Sequence, residues 1–313
     1  MTQDFDDRGD DGVSRPYRYR YDPSFDPTGG QVSGLSGHRR SQGRDHVRQL
    51  DSFYHQGLIA DVLYLVRIGK EASVYCCRGG EFLSARLAVN SVRRPEELDL
   101  RRLAQPSGDD GEAEPLIAAK VYRARQYRFK NDAVYQEDRT RGMKGQAARA
   151  LAKKTDFGRD VQTGSWVGHE FGALKELYEA GCDVPKPLIA DADSILMEYI
   201  GDENGPAPQL NRVDLNREDA EAQFERTMTN IEILLACNRV HGDLSPHNIL
   251  YWDGHVVLID FPQAVDARFN SQAERLLHRD VDNVCRYFNQ YGLGADAWAV
   301  ANDLWQRWKH AEL

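Results

Sequence analysis

Three side chains that carry oxygen atoms, Asp243, Asn248 and Asp260, lie within one short, mostly apolar stretch. It reads RVHGDLSPHNILYWDGHVVLIDFPQAVD, at residues 239–266. Polar groups beside apolar strands cost free energy unless something binds them. Asn248 and Asp260 offer the hard oxygen atoms that Mg²⁺ prefers when it also binds phosphate. Asp243, which would not bind the metal, is a candidate general base that accepts the proton of an attacking hydroxyl group. The stretch therefore predicts chemistry on a metal–phosphate complex.

The same residues also allow a less chemical interpretation. Asp243 and Asn248 are residue types that cap turns, so a purely local role is an alternative. We interpret His241 as a packed structural histidine, because Asp243 is the better proton acceptor in this pattern. His247 is expected to lie in the loop near the metal without binding it.

A lysine and a glutamate upstream complete the charges that such a site needs. Lys120 lies in the apolar run AAKVY, where a strand lysine would neutralise phosphates. Glu170 lies on the amphipathic segment SWVGHEFGALKELYEAG (165–181), which predicts a helix ending at Gly181. Glu170 is the well-placed anionic partner for Lys120.

A glycine loop between two predicted strands is a candidate phosphate cradle. In IGKEASVY (68–75), backbone N–H groups near Gly69 and Lys70 and the Ser73 hydroxyl would face phosphate. A simple hairpin turn is the alternative. A Walker A loop is excluded because Glu71 follows the lysine.

The order of these parts is more informative than any one of them. A glycine loop, a strand lysine, a helix glutamate, a link MEYIG (197–201), an H-x-D-x-x-x-x-N loop and a strand aspartate follow each other along the chain. Protein kinases carry the corresponding parts in this order.

Bulk properties set limits on the whole chain. The 313 residues suffice for two lobes, and 41% hydrophobic with 28% charged residues indicates a largely globular protein. The net charge of −9 disfavours general nucleic-acid binding. The five scattered cysteines suit a reducing compartment, and no apolar run reaches membrane-spanning length. We expect a cytoplasmic protein.

The chain divides into three parts. Residues 1–44 are polar and lack an apolar period, which predicts a disordered tail. Residues 45–200 are predicted to form a strand-rich N-lobe with an N-terminal helix, a charged insertion at 93–115 and a basic flexible loop at 123–165. Residues 201–313 form a helix-rich C-lobe. Within the N-lobe, Gly79-Gly80 is a hairpin signal that predicts a further strand after it.

At this point the sequence resembles the RIO-type atypical protein kinases, closest to the RIO1 branch. The resemblance covers residues 46–291 and rests on the segments GKEASVY, AAKVY, YRFKNDAVY, HEFGALKELYEAG, VHGDLSPHNIL, LIDFPQAVD and LLHRDVDNVCRYF. It implies an α+β, protein-kinase-like two-lobed fold with a strand-rich N-lobe and a truncated helical C-lobe. A peptide-docking activation segment is absent, because a predicted helix at 271–291 follows FPQAVD almost at once.

The resemblance also implies roles for individual residues. Asp243 would be the catalytic aspartate, Asn248 and Asp260 would bind Mg²⁺ or Mn²⁺, and Lys120 paired with Glu170 would hold ATP phosphates. Asp260 could itself be phosphorylated, which gives an ATPase. The loop with Gly69, Lys70 and Ser73 would cover the triphosphate, and Glu198 and Ile200 would lie in the adenine hinge.

The implied function is ATP-dependent phosphoryl transfer by a non-specific Ser/Thr protein kinase or ATPase, acting on a protein or on itself. One alternative is a small-molecule phosphotransferase of the aminoglycoside type, although the GKEASVY and FPQAVD segments argue against it. A second is a nucleotide-switched assembly factor that binds ribosomal particles or RNA through the basic loop 123–165.

Overall fold

The computed structural model describes residues 49–69, 71–83, 115–122 and 156–313, and of 156–165 the backbone alone. The predicted tail at 1–44, the insertion at 93–115 except its last residue, and the basic segment up to residue 155 lie outside the described residues.

A five-stranded antiparallel sheet with strand order β1-β2-β3-β5-β4 forms the first half of the molecule. Its central strands are apolar on both faces, which is typical of strands covered on both sides. One face packs on Leu50 and Phe53 beside the short helix α1, and the other packs on the long helix α2. The bounds are α1 Asp51–His55, β1 Ile59–Ile68, β2 Ala72–Gly79, β3 Leu116–Tyr122, α2 Asp156–Glu179, β4 Pro187–Ala190 and β5 Ser194–Glu198.

The prediction of a strand directly after Gly79-Gly80 is wrong, because residues 81–83 are helical. Gly80 does not form a hairpin turn; it allows two backbone segments to approach each other closely. A Cβ at Gly80 would lie 2.2 Å from the carbonyl oxygen of Gly57. Gly80 thus allows the chain leaving β2 to cross directly over the turn between α1 and β1.

Helix α2 begins at Asp156, earlier than its apolar pattern predicted, and ends before Gly181, which has a φ of +87°. Its buried residues Val167, Leu174 and Leu177 face the sheet. This packing fixes Glu170, which lies on the same side of the helix, against the sheet.

The second half contains three helices and short strand pairs. The apolar side of α4 is fully buried, including Leu276, Val281 and Phe288. Only residues 259–272 separate β10 from α4, as the short spacing in the sequence predicted. The bounds are β6 Gly201–Asp202, β7 Gly205–Pro206, α3 Arg217–Ala236, β8 Arg239–Val240, β9 Ile249–Trp252, β10 His255–Leu258, β11 Val265–Asp266, α4 Ala273–Asn289 and α5 Ala297–Lys309.

Among the helices of the described ranges, none combines the length and apolar character needed to cross a membrane. The arrangement of a strand-rich half followed by a helix-rich half agrees with the α+β expectation.

Candidate active site

The charged centre of the site is Lys120, which contacts two carboxylates. Lys120 Nζ lies 2.7 Å from Glu170 Oε1 and 2.7 Å from Asp260 Oδ1. Burial lowers the pKa of Lys120, but the charges of Asp260 and Glu170 outweigh it and raise the pKa above its ordinary value. The lysine is therefore held as a cation at the boundary between the two halves of the molecule.

The two carboxylates around Lys120 lie in different surroundings. Glu170 is 1% exposed, and burial raises its pKa although Lys120 acts in the opposite direction. The Asp260 side chain is 46% exposed. Burial of its inner oxygen opposes ionisation, but the Lys120 ammonium prevails and holds the pKa of Asp260 below its ordinary value. Asp260 is thus an ionised carboxylate that solvent and ligands can reach.

Helix α2 also fixes the segment after Asp260. Glu170 Oε1 accepts a hydrogen bond of 3.2 Å from the Phe261 N–H, and His169 Nε2 lies 2.8 Å from the Ala264 carbonyl oxygen. The Ala264 N–H donates to the Phe261 carbonyl at 3.0 Å, which closes a tight turn. Two consecutive helix residues therefore clamp both ends of this turn. The sequence analysis missed His169, because its partner is a distant carbonyl group.

Asp260 itself adopts a φ of +74°, in the left-handed region that non-glycine residues rarely occupy. Strained residues of this kind persist where surrounding contacts fix them, often at functional sites. Here the contacts are those of Lys120 to the side chain and of Glu170 to the next N–H group.

Asp243 and Asn248 lie together on the loop that the sequence predicted. Asp243 is exposed and lies between the buried Gly242 and Leu244. Asn248 Nδ2 donates to the Asp243 carbonyl at 2.8 Å, which shapes the loop and turns the amide oxygen away from it.

His241 has the structural role that its neighbours suggested. The Asp243 N–H donates to His241 Nδ1 at 3.3 Å, and Nε2 lies 3.2 Å from the Ile259 carbonyl oxygen. Its ring packs on Phe261, with 4.7 Å between ring centroids. Burial lowers the pKa of His241 to about 4, so the ring is neutral at pH 7 and donates from Nε2.

Asp280 on α4 is a further site residue that sequence reasoning missed. Its carboxylate accepts hydrogen bonds from the Gly242 N–H at 2.7 Å and the Leu244 N–H at 3.1 Å. Burial raises its pKa to about 7. A charged residue inside the apolar pattern LLHRDVDNVCRYF was the available signal, since a buried carboxylate on a core helix needs partners.

The donor set fits a divalent cation that is shared with phosphate. In the described part of the chain, Asn248 Oδ1 and Asp260 Oδ2 have no hydrogen-bond partner; Asn248 Oδ1 is not buried, and the Asp260 residue is exposed. No group of three or more His, Cys, Asp or Glu among those residues is placed to hold a metal alone. Mg²⁺ commonly takes one or two protein oxygens and completes its octahedral shell with phosphate and water.

The glycine loop is tightly closed in this structure. The Gly69 N–H donates to the Ala72 carbonyl at 2.8 Å, and Ser73 has no exposed surface. Contact of the Ser73 hydroxyl with phosphate therefore remains a prediction that requires the loop to move. Lys70 lies outside the described residues. Glu71, which the sequence analysis did not assign, faces the site: burial and then the charge of Asp260 raise its pKa to about 7.

The predicted hinge joins β5 to the second half. The Glu198 N–H donates to the Lys186 carbonyl at 2.8 Å, and its carboxylate accepts from the Lys186 N–H at 3.0 Å. The Ile200 carbonyl accepts from the Ala207 N–H at 2.9 Å. Within the described ranges, the Ile200 N–H has no partner and can serve a ligand.

Comparison with known proteins gives a consistent family. The family model described as "RIO domain" matches residues 106–299. "RIO-type serine/threonine-protein kinase Rio1" of Haloferax volcanii is 32% identical over 194 residues, which are 60% of this chain and 59% of that protein. "Serine/threonine-protein kinase RIO1" of Chaetomium thermophilum is 31% identical over 261 residues, which are 80% of this chain and 43% of that protein. The chain thus spans roughly half the length of these curated relatives.

A solved structure shows the same fold at lower identity. The Rio2 kinase–ADP/Mg²⁺–phosphoaspartate complex from Chaetomium thermophilum matches with a TM-score of 0.52 and 18% identity, over 81% of this chain and 64% of that one. This likeness confirms the kinase-like two-lobed fold. Because the family model covers more than half of the sequence, this chain belongs to the RIO domain family.

Proposed function

We propose that this chain binds ATP with Mg²⁺ or Mn²⁺ and transfers the γ-phosphoryl group, as a RIO-type atypical Ser/Thr kinase or ATPase. The observation that carries the proposal is the contact of Lys120 with both Glu170 and Asp260 at 2.7 Å. It joins a buried cation from the sheet to an ionised, accessible carboxylate from the other half. The names of the relatives, all RIO kinases, support the same reaction class.

Adenine would bind at the hinge and the phosphates near Lys120. The Ile200 N–H is available for a ring nitrogen of the base. Lys120 would donate to phosphate oxygens, with Glu170 holding its ammonium group in place. Asn248 Oδ1 and Asp260 Oδ2 would bind the cation, which supplies neutralisation of phosphate charge when present.

The chain's own residues can then carry the transfer. The exposed Asp243 would accept the proton of a substrate Ser or Thr hydroxyl as its oxygen bonds to the γ-phosphorus. The bond from that phosphorus to the bridging oxygen breaks and ADP leaves. The second route uses an Asp260 oxygen as the acceptor, followed by attack of water and release of phosphate. The exposure of Asp260 permits this route, and the solved Rio2 complex contains a phosphoaspartate by its description.

The partners and location are also part of the proposal. A protein substrate, or the chain itself, would supply the hydroxyl group. The basic stretch RTRGMKGQAARALAKKTDFGR in 123–165 supports contact with RNA or a ribosomal particle through phosphate charge. Five free cysteines support a reducing, cytoplasmic environment. For the RNA contact, Lys and Arg replacement in 139–154 should weaken RNA binding and flatten its salt dependence.

Calorimetric binding of ATP tests the nucleotide site itself. We expect binding that requires Mg²⁺ or Mn²⁺ and is stronger for ATP than for GTP. Lys120→Met should weaken it about 10- to 100-fold, because a charge-assisted hydrogen bond contributes roughly 1.5–3 kcal/mol. Asn248→Ala and Asp260→Asn should reduce the metal dependence, whereas Lys309→Met at the exposed end of α5 should change nothing. Wild-type protein that binds no ATP contradicts the proposal.

A further inference from the structure

The two residues that flank Asp243 have all their backbone hydrogen-bonding groups held by one helix. Asp280 accepts from the Gly242 and Leu244 N–H groups at 2.7 and 3.1 Å. Arg279 Nη2 donates to the Gly242 carbonyl, and Asn283 Nδ2 donates to the Leu244 carbonyl at 3.0 Å. Side chains of α4 thus fix the peptide groups on both sides of Asp243.

The spacing of the two donors on α4 explains how they reach both carbonyls. Arg279 and Asn283 are four residues apart, so they lie one turn apart on the same side of the helix. Asp280 lies between them in the sequence and is 2% exposed. The Arg279 side chain is 39% exposed, so this arginine lies at the edge of the site.

The clamp adds to the two hydrogen bonds of the Asp243 backbone itself, whose N–H donates to His241 Nδ1 and whose carbonyl accepts from Asn248 Nδ2. Gly242 has a φ of +78°, a conformation that costs glycine almost nothing and therefore fixes nothing by itself. Asp243 is exposed, so the core does not enclose its side chain. The direction in which this side chain leaves the backbone depends on the peptide groups before and after it. A general base must lie within hydrogen-bonding reach of its proton, and a displacement of about 1 Å can cost roughly 100-fold in rate.

We propose that Arg279 and Asn283 are positioning residues, which orient Asp243 for proton transfer by holding the carbonyl groups of Gly242 and Leu244. This inference rests on the proposed function. Their hydrogen bonds to the Gly242 and Leu244 carbonyls lie on either side of Asp243, so we expect their effect to fall on the transfer step and to leave nucleotide binding unchanged.

The experiment compares variants that keep or remove the donors. Arg279→Met removes the guanidinium and keeps the aliphatic stem, whereas Arg279→Lys retains a donor. Asn283→Leu removes the second donor at similar size. Arg286→Met is the matched control, since Arg286 is exposed on the same helix and pairs with the half-exposed Asp282. Single-turnover rate at saturating ATP and Mg²⁺ is measured for each variant, together with the dissociation constant for ATP.

We expect Arg279→Met and Asn283→Leu to lower the rate about 10- to 100-fold, with ATP affinity within about twofold of wild type. Arg279→Lys should recover most of the rate, and Arg286→Met should match wild type. A full rate in both donor-free variants overturns the inference. A parallel loss of rate and ATP affinity also overturns it, because that pattern indicates a general structural role.

A readout without catalysis separates this inference from the proposed function. Amide hydrogen exchange in residues 240–250 should accelerate in Arg279→Met and Asn283→Leu and stay unchanged in Arg286→Met. If wild type transfers no phosphoryl group but this exchange pattern appears, the proposed function fails while the clamp stands. If exchange is unchanged in all variants, the clamp fails whatever the activity.

Discussion

Lys120 and Asp260 are joined by a direct contact of 2.7 Å between Nζ and Oδ1, which links β3 to the segment after β10. The same ammonium group contacts the buried Glu170. One cation therefore pairs with a carboxylate that solvent cannot reach and with another that it can. This difference in exposure makes the two carboxylates respond differently when Lys120 is removed.

Replacing Lys120 with Met should destabilise the fold through Glu170. A buried charge that loses its partner typically costs about 3–5 kcal/mol, and the cost should be greatest at alkaline pH, where Glu170 cannot escape it by protonation. Adding Glu170→Gln to Lys120→Met should recover part of the loss. Urea unfolding at pH 8 gives the free energies, with Lys175→Met as a surface control expected to cost less than about 0.5 kcal/mol. Additive effects of the two substitutions would contradict this account.

Glu71 should make stability fall as the pH rises from about 4.5 to about 7. Its pKa in the folded protein is raised to about 7, so its favourable contribution is complete below its ordinary pKa of 4.5 and is lost as the pH rises through 7. Glu71→Gln should therefore unfold at higher urea than wild type at pH 8, and the difference should nearly vanish near pH 4, which lies below the ordinary pKa of 4.5. The exposed Glu203→Gln serves as control. An equal difference at both pH values would show that the Glu71 charge does not face the site.

His241 should make stability fall as the pH is lowered through the acidic range, which is opposite to the effect of Glu71. Its pKa is lowered from 6.5 to about 4, so its contribution is present above 6.5 and is lost as the pH falls towards 4. His241→Gln should be less stable than wild type at pH 7.5, because it loses packing on Phe261. That deficit should shrink by about 3 kcal/mol on reaching pH 4, since each pKa unit corresponds to about 1.4 kcal/mol. A deficit independent of pH would contradict a neutral buried ring.

His169 should stabilise the turn after Asp260 by donating to the Ala264 carbonyl. His169→Leu is expected to cost about 1 kcal/mol in unfolding free energy, because the buried carbonyl loses its donor. His169→Gln keeps an N–H donor and should recover most of the loss. Equal stability of the Leu and Gln variants would show that the hydrogen bond contributes little.

The element order was predictable from the sequence because apolar periodicity and turn residues are local signals. The helix with Glu170, the loop with Asp243 and Asn248, and the strand pair before Asp260 all lie near their predicted positions. The helical turn after Gly79-Gly80 was not predictable, because Gly80 is required by its close approach to the backbone of Gly57, which is not a neighbour in the sequence.

The parts of the site that could be predicted are those whose residue types and motif positions indicate a chemical role. The meeting of Lys120, Glu170 and Asp260 follows from a known motif order. The clamp of Arg279, Asp280 and Asn283 on residues 242–244 could not be predicted, because it joins segments that share no local pattern.

A single-turnover assay with γ-labelled ATP and Mg²⁺ tests phosphoryl transfer at this site most directly. Wild type, Asp243→Ala and Asp260→Ala would be compared, with free phosphate separated from protein-bound label and the label tested for lability to hydroxylamine. We predict transfer or hydrolysis in wild type and its loss in both variants, with labile label assigning Asp260 as the acceptor. Wild-type turnover in both variants, or no turnover by wild type that binds ATP, would contradict the account.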